Sequence, residues 1–169
     1  LIKNLSLGNN LTTIGDQAFY LCDELQTVKI PASVTNISVN AFDYCYNLLS
    51  FNVDEANQFY ASSDGVLFNK DKTKLIYCPE PGYNGGELKV FTVPEGVTSI
   101  GDYAFYQADL PEVILPPSAK ELGEFVFSYS EIEKMYIPGT VEMVGETLFL
   151  DCPNLRQVEF GHEKEPEDW

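Results

Sequence analysis

Three of the four cysteines, Cys22, Cys45 and Cys152, each stand three residues after a phenylalanine. A thiol can act as nucleophile, metal ligand or half of a disulfide. Recurrence in one slot points elsewhere: Cys packs as a small hydrophobe, so the slot should hold a buried thiol whose weak S–H meets a turn carbonyl. A Cys22–Cys45 disulfide between neighbouring elements is the alternative, and Cβ geometry disfavours it. No Cys-x-x-Cys pair occurs to suggest a zinc site. The one histidine, His162, lies in a polar tail, so a Ser-His-Asp or Cys-His arrangement would hang on that residue alone. Carboxylates are plentiful, yet acid–base hydrolysis needs two held across a cleft; Glu131 and Glu133 read instead as a solvated strand flank. No Asp-x-Asp-x-Asp-Gly loop is present for calcium. The expectation is no catalytic residue, no cofactor and no metal: a protein that is not an enzyme.

The elements that hold these residues follow one template. A strand residue is followed seven positions on by Ile, Leu or Val, and five further by Phe, at Leu7–Ile14–Phe19, Ile30–Ile37–Phe42, Val93–Ile100–Phe105, Leu115–Leu122–Phe127 and Ile137–Val144–Phe149. Self-similarity at such a period is the signature of a solenoid, in which each repeat buries its apolar face by stacking on the next. Each repeat closes with an alternating stretch, such as Leu25–Ile30, Leu48–Val53, Leu110–Leu115, Ile132–Ile137 or Leu155–Phe160. Period two sends Val28 and Ile30 inward and Lys29 outward. Pro31, Pro94, Pro116 and Pro138 directly follow four of these strands; lacking an N–H, proline stops the ladder and begins the turn. A short extended piece comes next, as at Val34–Ile37 and Val97–Ile100. Asp16 and Asp102 then read as N-caps of brief helical turns carrying Phe19 and Phe105.

The template breaks once, between Val53 and Phe91. Gly65–Asn69 and Lys74–Cys78 flank a polar turn and read as a β-hairpin standing in place of the helical turn, followed by the flexible stretch Pro81–Gly86. Such an insertion either carries function or covers an edge. Beyond Phe160, Glu167 occupies the position where the template requires an aliphatic residue, so 161–169 reads as an acidic tail or a truncated edge.

Outward strand positions are the place to look for binding. One column reads Ser6, Lys29, Asn52, Thr92, Ile114, Tyr136 and Glu159; beside it run Asn4, Thr27, Ser50, Val90, Glu112, Lys134 and Gln157. Most are polar. Ile114 and Tyr136 are adjacent exceptions, an exposed apolar pair with a tyrosine handle of the kind found in contact hot spots. The candidate surface is therefore Lys29, Asn52, Thr92, Ile114, Tyr136, Lys134 and Glu159. Tyr20, Tyr44, Tyr46, Tyr106 and Tyr129 fall near the turns on the other side, either as a second aromatic contact surface or as rings partly buried between coils.

Of 169 residues, 26 are acidic and 10 basic, giving a net charge of −16. Phosphates would be repelled, which argues against nucleic-acid binding. The excess is heaviest from Glu80 onward; it reads as a solvated acidic surface or as a face for a cationic partner. No apolar run is long enough to span a bilayer, so no membrane insertion is expected. Residue 1 is Leu and Asn4–Leu7 already reads as a repeat strand, so the sequence reads as starting inside, or just after the start of, a longer natural chain, and the missing export signal carries no information.

Ile14-Gly15-Asp16-x-Ala18-Phe19, with Cys22 and Leu25 following and then Val28-x-Ile30-Pro31, resembles the BspA-like leucine-rich repeat of bacterial surface proteins. The resemblance runs from Leu5 to Phe160; even the Gly65–Phe68 segment is similar to an insert common in such proteins. Val126 and Ser130 depart from it, as does the shortened Ala108–Leu110. It implies an α/β leucine-rich-repeat solenoid with parallel strands on one face, short helical turns on the other and one β-hairpin insertion. The layout would be repeats over 1–53, an irregular hairpin-bearing repeat over 54–90, repeats over 91–160, and the tail. It further implies a secreted or cell-surface bacterial location and an adhesion role; the expected partner is a host matrix or cell-surface protein, or a glycan, and the chain is expected to be a monomer. A structural spacer that projects another domain is the competing expectation.

Overall fold

The computed structural model describes residues 2–79 and 90–161. The chain forms two compact units, Leu1–Gly86 and Glu87–Trp169. The segment Pro81–Gly86, the single His162 and the tail beyond Gly161 lie outside the described residues.

In the first unit, β1 (Asn4–Ser6), β2 (Thr13–Ile14), β3 (Thr27–Ile30), β4 (Asn36–Ile37) and β5 (Ser50–Val53) build two parallel ladders. The main one runs β1-β3-β5 with Ser6, Lys29 and Asn52 in one row and Leu5, Val28 and Phe51 in the next. The second pairs Ile14 with Ile37. The alternation does what period two requires: Val28 and Ile30 are buried and Lys29 is exposed. Strands begin two residues later than the alternating stretches, because Leu25 and Leu48 still belong to the preceding turn, their N–H groups donating to Cys22 O and Cys45 O.

The irregular repeat holds one strand more than expected. β6 (Tyr60–Ser63), β7 (Val66–Asn69) and β8 (Lys74–Tyr77) form an antiparallel meander. The β7–β8 hairpin is the one read from the sequence; β6, with Tyr-Ala-Ser-Ser, lacks the apolar alternation that would have marked it. Asn57 pins the meander to the coil before it. Fully buried, its Nδ2 donates to Pro31 O and Val34 O at 2.8 and 2.9 Å, while its Oδ1 accepts from Phe59 N and Tyr60 N.

In the second unit, β9 (Val90–Thr92), β11 (Glu112–Ile114), β13 (Lys134–Ile137) and β15 (Gln157–Phe160) form a parallel sheet in the order β15-β13-β11-β9. The short strands β10 (Ser99–Ile100), β12 (Glu121–Leu122) and β14 (Met143–Val144) pair in parallel beside it. Turns after each proline are closed by hydrogen bonds such as Val97 N to Pro94 O and Val141 N to Pro138 O.

The turns expected to be helical are not: no helix occurs among the described residues. A helix would send the Phe19 N–H back along its own chain, but it donates to Ala41 O of the next coil at 2.9 Å, and Leu21 N donates to Asp43 O at 3.1 Å. Phe105 and Gln107 do the same toward Val126 and Ser128, as do Phe127 and Tyr129 toward Leu148 and Leu150. The remaining N–H groups close tight turns, Ala18 to Gly15 and Cys22 to Phe19. Aiming alternate N–H groups along the stack places Gln17, Leu21, Tyr103, Gln107, Phe125 and Tyr129 at φ between 53 and 60°, the positive φ that the third residue of a type II turn requires. Asp16 and Asp102 are correspondingly not helix caps. Asp16 accepts from Ser38 Oγ, and Asp102 Oδ1 from Glu124 N at 2.9 Å, so each ties its coil to the next.

The core is a column of rings and aliphatics inside each unit. Phe19 stacks on Phe42 at 5.3 Å; Phe127 stacks between Phe105 and Phe149 at 5.3 and 5.6 Å, with planes 14–15° apart. The period of the Phe template is thus the period of the stack. Each such pair adds about 0.5–1.5 kcal/mol beyond its buried area.

Candidate binding surface

Cysteine chemistry is the first to be settled by geometry. Cys45 Sγ donates to Phe19 O at 3.1 Å and Cys152 Sγ to Phe127 O at 3.0 Å, each reaching the turn of the preceding coil. That is the thiol-to-turn-carbonyl contact the recurring slot predicts, but of the three slot cysteines only Cys45 is buried; Cys22 and Cys152 are half-buried. All four cysteines are free, so Cys22 and Cys45 form no disulfide. Burial pushes the Cys45 thiol up to about 11, and the fully buried Cys78 well above its ordinary value; neither is a thiolate at neutral pH. Ser130 fills the slot in the fourth repeat, its Oγ 3.8 Å from Cys152 Sγ.

Among the described residues no group of three His, Cys, Asp or Glu side chains is placed to hold a metal ion. No helix there is long and apolar enough to cross a membrane.

The outward columns fall as expected within each unit. In the second unit Thr92, Ile114, Tyr136 and Glu159 are consecutive register partners across β9, β11, β13 and β15. Ile114 and Tyr136 are 44% and 54% exposed. Beside them Lys134 Nζ pairs with Glu112 Oε2 at 2.9 Å, and Gln157 Nε2 donates to Glu159 Oε1. The candidate residues of this unit therefore form one surface, an apolar centre with a charge-paired margin. The Tyr136 hydroxyl lies over Gly161, where an added Cβ would stand 2.8 Å from it.

Lys29 and Asn52 lie in the first unit, apart from that surface in the chain. They line a shallow groove of about 300 Å³ with Ser6, Asn9 and Asp54. Lys29 has no carboxylate within ion-pair distance among the described residues. Leu7, Ile30, Pro31 and Val53 complete the lining, so the groove mixes polar and apolar groups.

The turn side carries the tyrosines. Tyr20 meets Tyr44 edge-on at 5.1 Å, and Tyr44 meets Tyr46 at 6.0 Å. Tyr106 meets Tyr129 at 5.5 Å, Tyr103 meets Tyr106 at 5.3 Å, and Tyr103 stacks on Phe125 at 5.1 Å. Tyr20, Tyr46 and Tyr129 are exposed by 41–52%, so the rings are packed on each other yet open to solvent. The partial burial that the sequence offered as one alternative is what the rings show.

Two residues escaped the sequence reading. Asn57 has a signal only in retrospect, as a polar residue three after Asp54 at the start of the irregular repeat. Ser128, fully buried, donates to Thr147 O at 2.7 Å and accepts from Leu150 N; its place next to the ring of Phe127 gave no cue.

The family model described as the BspA type leucine rich repeat region matches in six copies, over residues 1–81 and 76–165. Among solved structures, a leucine-rich repeat protein from Eubacterium ventriosum is 26% identical with a TM-score of 0.80, over 93% of this chain and 42% of that one. The pneumococcal vaccine antigen PcpA is 22% identical with a TM-score of 0.71, over 95% of this chain and 51% of that one. A leucine rich cell surface protein from Faecalibacterium prausnitzii is 19% identical with a TM-score of 0.51, over 96% and 61%. The latter two likenesses are of fold. The chain thus spans between about two fifths and three fifths of these proteins' lengths. No curated protein matches the sequence.

Proposed function

The chain belongs to the BspA-type leucine-rich repeat family, and from that premise we propose that it is a non-enzymatic binding module of a bacterium, secreted or displayed at the cell surface. The observation that carries this reading is the Ile114–Tyr136 pair. Two large side chains stand side by side and exposed in a row whose other outward positions, Thr92 and Glu159, are polar, and folding does not require them there. A tyrosine anchor beside an aliphatic, ringed by the Lys134–Glu112 pair, is the composition of an interface centre with a polar rim. The partner is a host matrix or cell-surface protein, or a glycan presented on one, and the module acts as a monomer. Thr92 and Glu159 extend the contact along the row, and Lys29 and Asn52 offer a second, polar contact in the first unit.

The test replaces Ile114 and Tyr136 with serine and measures attachment to immobilised host matrix proteins. Loss of attachment with an unchanged melting temperature supports the module. The competing reading, a spacer that projects another domain, requires that the unaltered chain attach to nothing.

A further inference from the structure

The charge of this protein is segregated. The five turn segments, residues 15–24, 38–47, 101–109, 123–131 and 145–152, contain no lysine or arginine, although all of them contain acids. In the second unit these acids are Asp102, Asp109, Glu124, Glu131, Glu146 and Asp151, and all but the half-buried Asp102 are exposed. Its described basic residues, Lys120, Lys134 and Arg156, lie outside the turns, and the first two are engaged by Glu142 and Glu112. The turn side therefore presents negative potential, and among the described residues no lysine or arginine forms an ion pair with these acids.

Into that field the repeat sets a strip of rings. Tyr103 stacks on Phe125 and meets Tyr106 edge-on, and Tyr106 meets Tyr129, so four rings from two adjacent coils run as one contact chain. The edge pair recurs in the first unit, where Tyr20 and Tyr44 occupy the same repeat positions at 5.1 Å and 71°, against 5.5 Å and 69° for Tyr106 and Tyr129. Acids bracket the rings in sequence: Asp102 precedes Tyr103, Glu124 precedes Phe125, and Asp109 and Glu131 follow.

We propose that this acidic, tyrosine-lined turn side is a second interaction surface, and that its occupant is a cationic peptide segment whose guanidinium groups lie on the rings. Aromatic faces attract Arg and Lys, Arg most often, and carboxylates beside them add bidentate hydrogen bonds that a guanidinium alone can satisfy. An excess of acid steers such a segment in from solution at low salt. A neutral sugar would also stack on tyrosine, but it gives no role to the exclusion of lysine and arginine from all five turns. Anionic partners are repelled.

The probe is a short labelled peptide alternating Arg and Gly, titrated against the full chain at low and at physiological salt. Three variants accompany it: Tyr106→Ser with Tyr129→Ser; Asp109→Asn with Glu124→Gln and Glu146→Gln on the turn side; and Glu95→Gln with Glu121→Gln and Glu133→Gln elsewhere in the same unit. The last two remove the same charge, so they separate a site from bulk attraction. We expect saturable binding that weakens with salt, about a fivefold loss on removing the two tyrosines, a comparable loss for the turn-side neutralisation, and a clearly smaller one for the set outside the turns. Tyr106→Phe with Tyr129→Phe keeps the rings and should bind as the unaltered chain does, which guards against mere misfolding in the serine variant. No binding of the probe at low salt, equal losses for the two neutralised sets, or unchanged binding without the tyrosine rings would each overturn the proposal.

Discussion

Ile114 and Tyr136 are register partners across the parallel strands β11 and β13, and both side chains stand on the outward side of the sheet. The residues between which they sit in sequence, Val113, Leu115, Met135 and Ile137, are all buried. The pair is thus a product of strand phase, and nothing in the core holds it there. Replacing either residue with a polar one should leave stability within about 0.5 kcal/mol.

Phe127 is the opposite case. It is fully buried and stacked on both sides, by Phe105 and Phe149. Phe127→Ala should cost about 3–5 kcal/mol through the cavity and the two lost stacking contacts. Phe127→Leu, which keeps most of the volume, should cost clearly less. Urea unfolding of both variants decides the order; equal costs would mean that the stacked column adds nothing beyond its bulk.

Asn57→Ala leaves the Val34 carbonyl and two N–H groups, Phe59 N and Tyr60 N, without the partner that now serves them, while Pro31 O keeps its bond from Val34 N. At about 1–3 kcal/mol for an unsatisfied buried group, partly relieved by water entry, the loss should be at least about 2 kcal/mol. Hydrogen exchange should also rise first in the Tyr60–Asn69 pair of strands. Stability unchanged by the substitution would show that the meander is held by its apolar residues alone.

Gln107 distinguishes a tight turn from a helix. Its φ is 60°, a conformation that costs most side chains about 1–2 kcal/mol and glycine almost nothing. Gln107→Gly should therefore raise stability by about 0.5–1 kcal/mol, where the same change inside a helix would lower it by about as much. A thermal melt gives the sign.

Half-burial lifts the Asp43 carboxyl to about 6, from an ordinary 3.8. Because the folded state holds this proton more tightly than the unfolded chain does, the group's contribution is complete below about pH 4 and is lost as pH rises through about 6. Asp43→Asn should remove that part of the slope and make the protein more stable at pH 7 by an amount on the order of 1–2 kcal/mol, allowing for solvent screening at a half-buried site. Denaturation midpoints at pH 4, 5, 6 and 7 check it; parallel pH profiles for the two proteins would contradict the assignment.

Much of this architecture is legible in the residues themselves. The inward phase of Val28, Ile30, Met135 and Ile137, the strand stops at the prolines and the cysteine–carbonyl contact all follow from local periodicity and from small-residue slots. The turns were misread because Gly-Asp-x-Ala-Phe is locally a helix start, with an acid in capping position; what defeats the helix is the next coil, whose carbonyls at Ala41 and Asp43 take the N–H groups. A single repeat contains no sign of that competition. β6 was missed for the complementary reason, since Tyr60–Ser63 gains its strand form from pairing with Val66–Asn69 and has no pattern of its own. The outward columns were legible as positions, and their register partners are as the alternation requires. Their ligand is not encoded in that alternation, because the template constrains only the residues that point the other way.

The central claim is that the Ile114–Tyr136 surface binds a partner. Attachment of the unaltered chain and of the Ile114→Ser, Tyr136→Ser double variant to immobilised host matrix proteins tests it most directly, with the melting temperature of each measured alongside. The account predicts that the unaltered chain attaches and that the variant, equally folded, loses at least about tenfold in affinity, as truncating two interface-centre residues should. Equal attachment by the two proteins would contradict it.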